Sequence, residues 1–263
     1  YTLIDIPEPK QRLVHIHPGA EELGRVYRAT LPINSGMPGF AAAARAMEPV
    51  TGRWDNWAGG AHGEYLAWTE PAPVPGDVQL GEIVSWLRDE LPPTAMICNG
   101  AGNYTAWIHR FYRYRGYATQ LAPTSGSMGY GVPAAVAAKL RHPDRDVVAF
   151  AGDGCFLMTG QELATAAQYN AKVIFIVVNN GMYGTIRMHQ ERDYPNRVSG
   201  TGLANPDFVA LAKAYGGTGE LVTETSQFAD AFARAQAADS LALIELRTDP
   251  DAITPSTTLS RIV

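Results

Sequence analysis

Cysteine is scarce: the 263 residues hold only two, Cys98 and Cys155. That is too few for a disulfide-stapled scaffold. Both follow apolar strand-like runs, so the expectation is a pair of reduced, buried thiols in a cytoplasmic protein. Clusters of Lys and Arg interleaved with aromatics are missing, and the net charge of −5 removes the electrostatic footprint that a nucleic-acid partner needs. No apolar run approaches the roughly 20 residues that span a bilayer, and no secretory signal opens the chain, so no membrane partner is expected. The spacing Gly-x-Gly-x-x-Gly is also absent. Gly126, Gly129 and Gly131 do not supply it, and no acidic residue is well placed after a second strand, which argues against a nicotinamide oxidoreductase. No internal repeat stands out. What remains, 46% hydrophobic and 18% charged residues, suits a soluble globule with enough chain for one large or two modest domains.

The most informative stretch is Gly152-Asp153-Gly154, followed later by Asn179-Asn180. An apolar run from Asp146 to Ala151 leads into the first motif, and Gln161 to Ala167 reads as a helix. A second apolar run, Val173 to Val178, delivers the Asn pair. Both runs are continuous and rich in β-branched residues, as parallel strands covered on both faces should be. A helical crossover makes the strands run the same way and sets their carboxyl ends side by side, where α/β sheets bind ligands. A carboxylate and an amide oxygen there suit magnesium or calcium, which prefer oxygen and leave room for phosphate. Gly152 and Gly154 let backbone approach that phosphate, and the amides beginning the next helix favour its charge. Each motif taken singly is also an ordinary turn. Their joint occurrence at the ends of consecutive buried strands is what carries the functional reading.

On these residues the chain resembles the thiamine-diphosphate-dependent enzymes of the acetolactate synthase and pyruvate decarboxylase group. The matching segments run from Gly152 to Met158 and from Val178 to Gly184. The resemblance implies that Asp153, Asn180 and the backbone carbonyl of Met182 bind the Mg that holds the cofactor's diphosphate, with Tyr183 beside them. Gly152 and Gly154 would flank the diphosphate. The family usually carries Ser where this chain has Cys155, so a hydroxyl contact is lost while the backbone amide remains. A second matching segment, Ser125 to Ala135, is similar to the one that bends the cofactor. It implies Met128 as an apolar wedge under the thiazolium ring and the carbonyl of Gly126 as acceptor for the aminopyrimidine. The alternatives are a Met that fills core and glycines that punctuate a loop. A third segment, Asn99 to Thr105, follows the strand Thr94–Cys98 and opens a helix through Trp107. Its side chains differ from the family's Gly-Gln-His-Gln, and it implies diphosphate contacts from Asn103 and Thr105. Arg187 to Asp193 form a polar cluster past the metal site, and His189 is the candidate catalytic group there, the alternative being a solvated helix. Acetolactate synthases usually carry Gln-Trp where this chain has Met188-His189, which weakens the specific claim of acetolactate synthesis.

The organisation follows the same resemblance. Arg12 to His17 reads as a strand, and it and the Pro18–Gly24 turn resemble the close of the family's middle domain. His15 and His17 alternate across that strand and read as structural. Residues 1–37 are therefore expected to be the tail of a middle domain, 38–76 a connector and 77–263 the diphosphate-binding domain. The stretch Thr51–Ala67 shows no clear periodicity, and Pro71–Gly76 reads as a semi-rigid linker. Helices are expected near Leu80–Leu91, Pro206–Tyr215 (capped by Asn205) and Gln227–Ala238, with a last strand Leu241–Leu246. The expected fold class is α/β, a doubly wound parallel sheet with helices on both faces. The expected function is the thiamine-diphosphate- and Mg-binding part of a 2-oxo acid decarboxylase or carboligase acting as a homodimer or homotetramer on a small-molecule 2-oxo acid. The family's activating glutamate lies on a first domain, so this chain is expected to be a fragment that does not turn over alone. The alternatives are another thiamine-diphosphate lyase or oxidase, acting on an aromatic 2-oxo acid or aldehyde, and a non-catalytic diphosphate-binding module. Use of FAD stays open, because the domain that would decide it is mostly outside this chain.

Overall fold

The structure, a computed structural model, describes residues 4–50, 52 and 54–262. Its contacts divide the chain into two compact units, Tyr1–His62 and Gly63–Val263. In the first, β1 (Val14–His17) and β2 (Leu31–Asn34) pair in parallel, Val14 opposite Leu31 and His17 opposite Asn34. His17 Nδ1 lies 3.1 Å from the Gly19 amide and accepts from it, so the ring closes the turn after β1. Helix α1 (Met37–Arg45) starts with Pro38 near its first position, where a missing N–H costs nothing. Helix α2 (Asp55–Trp68) was not anticipated in the stretch whose sequence shows no clear periodicity; Thr51, where that stretch was set to begin, lies outside the described residues. It has no buried residue, so no apolar face advertised it in the sequence.

The second unit carries a six-stranded sheet in the order β4-β3-β5-β6-β8-β7, every pairing parallel. Its strands are β3 (Met96–Asn99), β4 (Gln120–Leu121), β5 (Val147–Gly152), β6 (Ile174–Asn179), β7 (Thr218–Val222) and β8 (Ala242–Arg247). In β3, β5, β6 and β8 consecutive residues are buried, which happens only when both faces of a sheet are covered. The helices of this unit are α3 (Leu80–Glu90), α4 (Thr105–Phe111), α5 (Gly131–Arg141), α6 (Asp153–Phe156), α7 (Leu163–Gln168), α8 (Gly184–Asp193), α9 (Phe208–Ala214) and α10 (Phe228–Ala237); α5 packs on β3 and β5, α6 on β5 and β6, and α9 and α10 on β7 and β8. This is the expected doubly wound α/β architecture. Helix α3 buries Leu80, Ile83, Val84 and Leu87, the expected stripe. Trp86 meets Phe228 and Phe232 edge-on, both at 5.5 Å, and so joins α3 to α10.

Two expectations about elements are corrected. The cap of α9 is Asp207, whose carboxylate accepts from the Ala210 amide at 2.8 Å; Asn205 points elsewhere. Helix α9 therefore starts at Phe208, later than expected. Strands β4 and β7 and helix α5 were not anticipated. Both cysteines are free and buried. Among the described residues no helix is long and apolar enough to cross a membrane.

Cys98 gives a test of the core. Burial in β3 pushes its thiol up to about 12. An exposed thiol in the unfolded chain titrates at about 8.5. The stability that comes from keeping this thiol neutral is therefore complete below the unfolded value and lost as the pH rises toward the folded one. Urea unfolding at pH 8 and pH 10 should show the native chain losing about 1.4 kcal/mol per pH unit more than Cys98→Ala once the unfolded thiol ionises. Parallel losses in the two chains would show that Cys98 is not shielded.

Candidate functional site

The sheet changes winding direction between β3 and β5. From β3 the chain moves outward to β4, then returns to the other side of β3 as β5 and continues to β6. Loops leaving β3 and β5 diverge at such a point and open a crevice at the carboxyl edge. A cavity of about 270 Å³ lies there, lined by residues from both loops and from the segment after β6.

Close backbone packing shapes its floor. A Cβ on Gly131, at the start of α5, would sit 2.7 Å from the Gly100 amide nitrogen and 2.8 Å from the Asn99 carbonyl carbon. Only glycine lets α5 begin against the loop after β3. Gly181, after β6, has φ +70°, a conformation that costs glycine least. That bend turns its amide back to Asp153.

Asp153 follows β5 and is 2% exposed. Its Oδ1 accepts from the Gly154 amide at 2.9 Å, and its Oδ2 accepts from the Gly181 amide and from Asn205 Nδ2, both at 2.8 Å. Burial pushes the carboxyl above its usual range, opposed by the hydrogen bonds from Asn205, Gly154 and Gly181. A carboxylate offers about four lone-pair sites. Three are taken, and the fourth lies on Oδ1 of a residue that lines the cavity.

Asn180 and Met182 line the same cavity. Asn180 Oδ1 accepts from the Met182 amide at 3.2 Å, which orients the oxygen and leaves it a second lone pair. Met182 bridges antiparallel to Gly202, through the Tyr183 amide to Thr201 O and the Leu203 amide to Gly181 O. Those bonds leave the Met182 carbonyl out. The three oxygen donors expected from the sequence thus border one cavity, together with Gly152, Gly154 and Tyr183.

Gly126 and Met128 also line it. Gly126 has φ +69°, and nothing lies within 4 Å of where its Cβ would be. Cys155 is 3% exposed; its Sγ accepts from the Gly129 amide at 3.2 Å and lies 3.5 Å from Tyr104 Oη. Asn103 reaches the cavity and ties it to α8, its Oδ1 accepting from Thr185 Oγ1 at 2.9 Å. Two expected residues are not brought in. The Thr105 hydroxyl donates to Gly102 O at 2.8 Å, and neither Thr105 nor His189 lines the cavity. His189 is on the exposed side of α8. The polar cluster around it is instead structural in part: Arg187 pairs with the buried Glu191, whose carboxyl is held low by the Asn196 amide and then by Arg187.

Sequence reasoning missed Asn205, Tyr104 and Thr185. Asn205 was read as a helix cap because Asn before Pro is a local start signal; its real partners lie 52 and 26 residues away.

Fold and site together define an α/β ligand-binding domain whose oxygen donors suit a hard divalent cation beside an anion. Residues 100–246 match the family described as thiamine pyrophosphate enzyme, C-terminal TPP binding domain, and the chain belongs to that family. It is 30% identical over 247 residues to the acetolactate synthase large subunit of Corynebacterium glutamicum, covering 89% of this chain and 39% of that protein. It is 32% identical over 236 residues to the large subunit of Parasynechococcus marenigrum, covering 84% and 37%. The solved thiamine diphosphate-dependent 4-hydroxybenzoylformate decarboxylase of Rhodococcus jostii RHA1 superposes with a TM-score of 0.72 at 27% identity, over 92% of this chain and 45% of that one. The chain spans about two fifths of the length of the curated relatives it matches.

Proposed function

We propose that this chain holds the diphosphate of thiamine diphosphate through a magnesium ion, and that the whole protein decarboxylates a 2-oxo acid such as pyruvate and releases or transfers the acyl unit. The observation that carries this reading is Asp153. Its carboxylate is buried, fixed by three donors and left with one lone pair in a cavity that Asn180 and Met182 also border. A buried carboxylate raised by desolvation is relieved by a cation. Asp153, the Asn180 Oδ1 and the Met182 carbonyl would hold that ion; Gly152, Gly154, the Cys155 amide and Asn103 would border the diphosphate. Met128 would support the cofactor in a bent form and the Gly126 carbonyl would accept from its aminopyrimidine. Bound there, the cofactor supplies the electron sink that lets a 2-oxo acid lose its carboxylate.

The exposed apolar side chains of Met128, Met158 and Ile186 support a homo-oligomer in which a second subunit covers the cavity. A cytoplasmic location fits the two free thiols. A second reading, an aromatic 2-oxo acid as substrate, is favoured by the likeness to the 4-hydroxybenzoylformate decarboxylase and by Met188-His189 in place of Gln-Trp. Parallel assays of the whole protein with pyruvate and with benzoylformate choose between them.

The cofactor reading is tested by calorimetric titration of the chain with thiamine diphosphate, once in magnesium and once in EDTA. Binding in magnesium and its loss in EDTA are expected. No binding in either, or equal binding in both, overturns the proposal.

A further inference from the structure

Glu245 sits in the middle of β8, a strand otherwise apolar from Ala242 to Leu246, and is 2% exposed. A buried carboxylate in a central strand is costly unless it is hydrogen-bonded. Its Oε1 accepts from Asn179 Nδ2 at 2.8 Å and from Arg247 Nε at 3.2 Å. It can only accept, so it forces the Asn179 amide to turn its NH₂ toward β8 and its Oδ1 the other way. That Oδ1 accepts from the Gly181 amide at 3.1 Å and from Asn205 Nδ2 at 2.9 Å. Asn205 is then oriented in turn. Its second N–H reaches Asp153 Oδ2 at 2.8 Å. Its own Oδ1 is buried and has no hydrogen-bond partner. Turning that amide over would set its oxygen against two other oxygens, so the unpartnered Oδ1 records the direction the chain of bonds imposes.

The geometry points to Glu245 and Asn205 as positioning residues for the divalent cation. Through Asn179 they set the direction of an amide relay that fixes the Asp153 carboxylate and leaves its remaining lone pair, on Oδ1, to the cavity. The inference rests on the cation reading of Asp153 proposed above. It goes further in assigning cation affinity to a strand, β8, and a loop residue, Asn205, that touch neither ion nor diphosphate.

The test is a Mn²⁺ titration of the full chain, followed by electron paramagnetic resonance at saturating thiamine diphosphate, with the melting temperature of the cation-free chain measured beside it. Asn205→Leu and Glu245→Leu should each weaken Mn²⁺ binding about 10- to 100-fold, the usual effect of losing a group that orients a metal ligand. Glu245→Gln can still present an acceptor to Asn179 and should stay within about threefold of the parent. The double leucine variant should bind no worse than Asn205→Leu alone, because Glu245 acts through Asn205. A purely structural role would lower the cation-free melting temperature and leave Mn²⁺ affinity unchanged; that result, or additive losses in the double variant, overturns the relay. Should either leucine variant not fold, Asn205→Ala and Glu245→Ala carry the same comparison, with Glu245→Gln still the conservative control. Asp153→Ala separates the two levels. If it loses Mn²⁺ while the relay variants keep it, the relay is wrong and the cation reading stands. If Asp153→Ala itself keeps Mn²⁺, both are wrong.

Discussion

Asp153→Ala is expected to raise the Kd for thiamine diphosphate in magnesium on the order of 100-fold or more, and to make binding indifferent to EDTA. Groups that merely orient a metal ligand are worth about tenfold to hundredfold in affinity, and removal of a charged ligand exceeds that. The fold should tolerate the change. Of the three donors around the carboxylate, the Gly181 amide keeps the Asn179 Oδ1 as an acceptor, while the Gly154 amide and the second N–H of Asn205 lose their partner. Each unmet N–H costs about 1–3 kcal/mol. Against it stands the removal of a carboxylate that burial already disfavours in its charged form. Titration calorimetry and urea unfolding of the two chains therefore separate ligand loss from unfolding. An Asp153→Ala chain that still binds the cofactor in a magnesium-dependent way would sink the assignment.

This separability comes from how the site is built. Asp153 is held by backbone amides that the fold supplies regardless of the ion, while Asn180 Oδ1 and the Met182 carbonyl are oriented by a short bend and a single antiparallel bridge. Rigid donors surround the buried charge, and the residues that carry the open lone pairs line the cavity. A carboxylate placed this way is available for a cation without rearrangement, which is the advantage of preorganisation.

The parts of this arrangement that were legible in the sequence are those written in local pattern. The apolar runs Asp146–Ala151 and Val173–Val178 announced the buried parallel strands found at Val147–Gly152 and Ile174–Asn179, and the hard-oxygen residues after them announced the edge. Helix α2 was illegible because it buries nothing and so has no periodicity to read. Strand β7 was illegible for a related reason: it is an edge strand with only Val222 buried, and Gly219 interrupts it. Asn205 was misread because its local context mimics a cap, whereas its bonds cross to Asp153, just after β5, and to Asn179 in β6. Glu245 left a usable signal. A single carboxylate inside Leu241–Leu246 has no reason to be there unless something polar meets it, and that question leads to Asn179.

Phe156→Ala is expected to have the largest effect on stability, a loss of about 3–5 kcal/mol in urea unfolding. Phe156 closes α6, three residues after Asp153, and is fully buried. Its ring meets Phe208 edge-on at 5.5 Å with an interplanar angle of 89°. Phe208 opens α9, three residues after Asn205. The aromatic pair therefore clasps the two segments that Asn205 and Asp153 join by hydrogen bond. A pair of this geometry is worth about 0.5–1.5 kcal/mol beyond the area it buries, so a double-mutant cycle with Phe208→Ala should show coupling of that size. The same clasp makes a second, independent prediction. Loosening α6 against α9 lengthens the Asn205–Asp153 bond, so Phe156→Ala should weaken cation binding even at temperatures where it stays folded. Phe232→Ala is the control. It removes an equally buried ring from α10, packed on Trp86 and Phe228, with no part in holding Asp153. It should cost comparable stability and leave cation affinity unchanged. Equal losses of affinity in both variants would mean that general destabilisation, and not the clasp, governs the site.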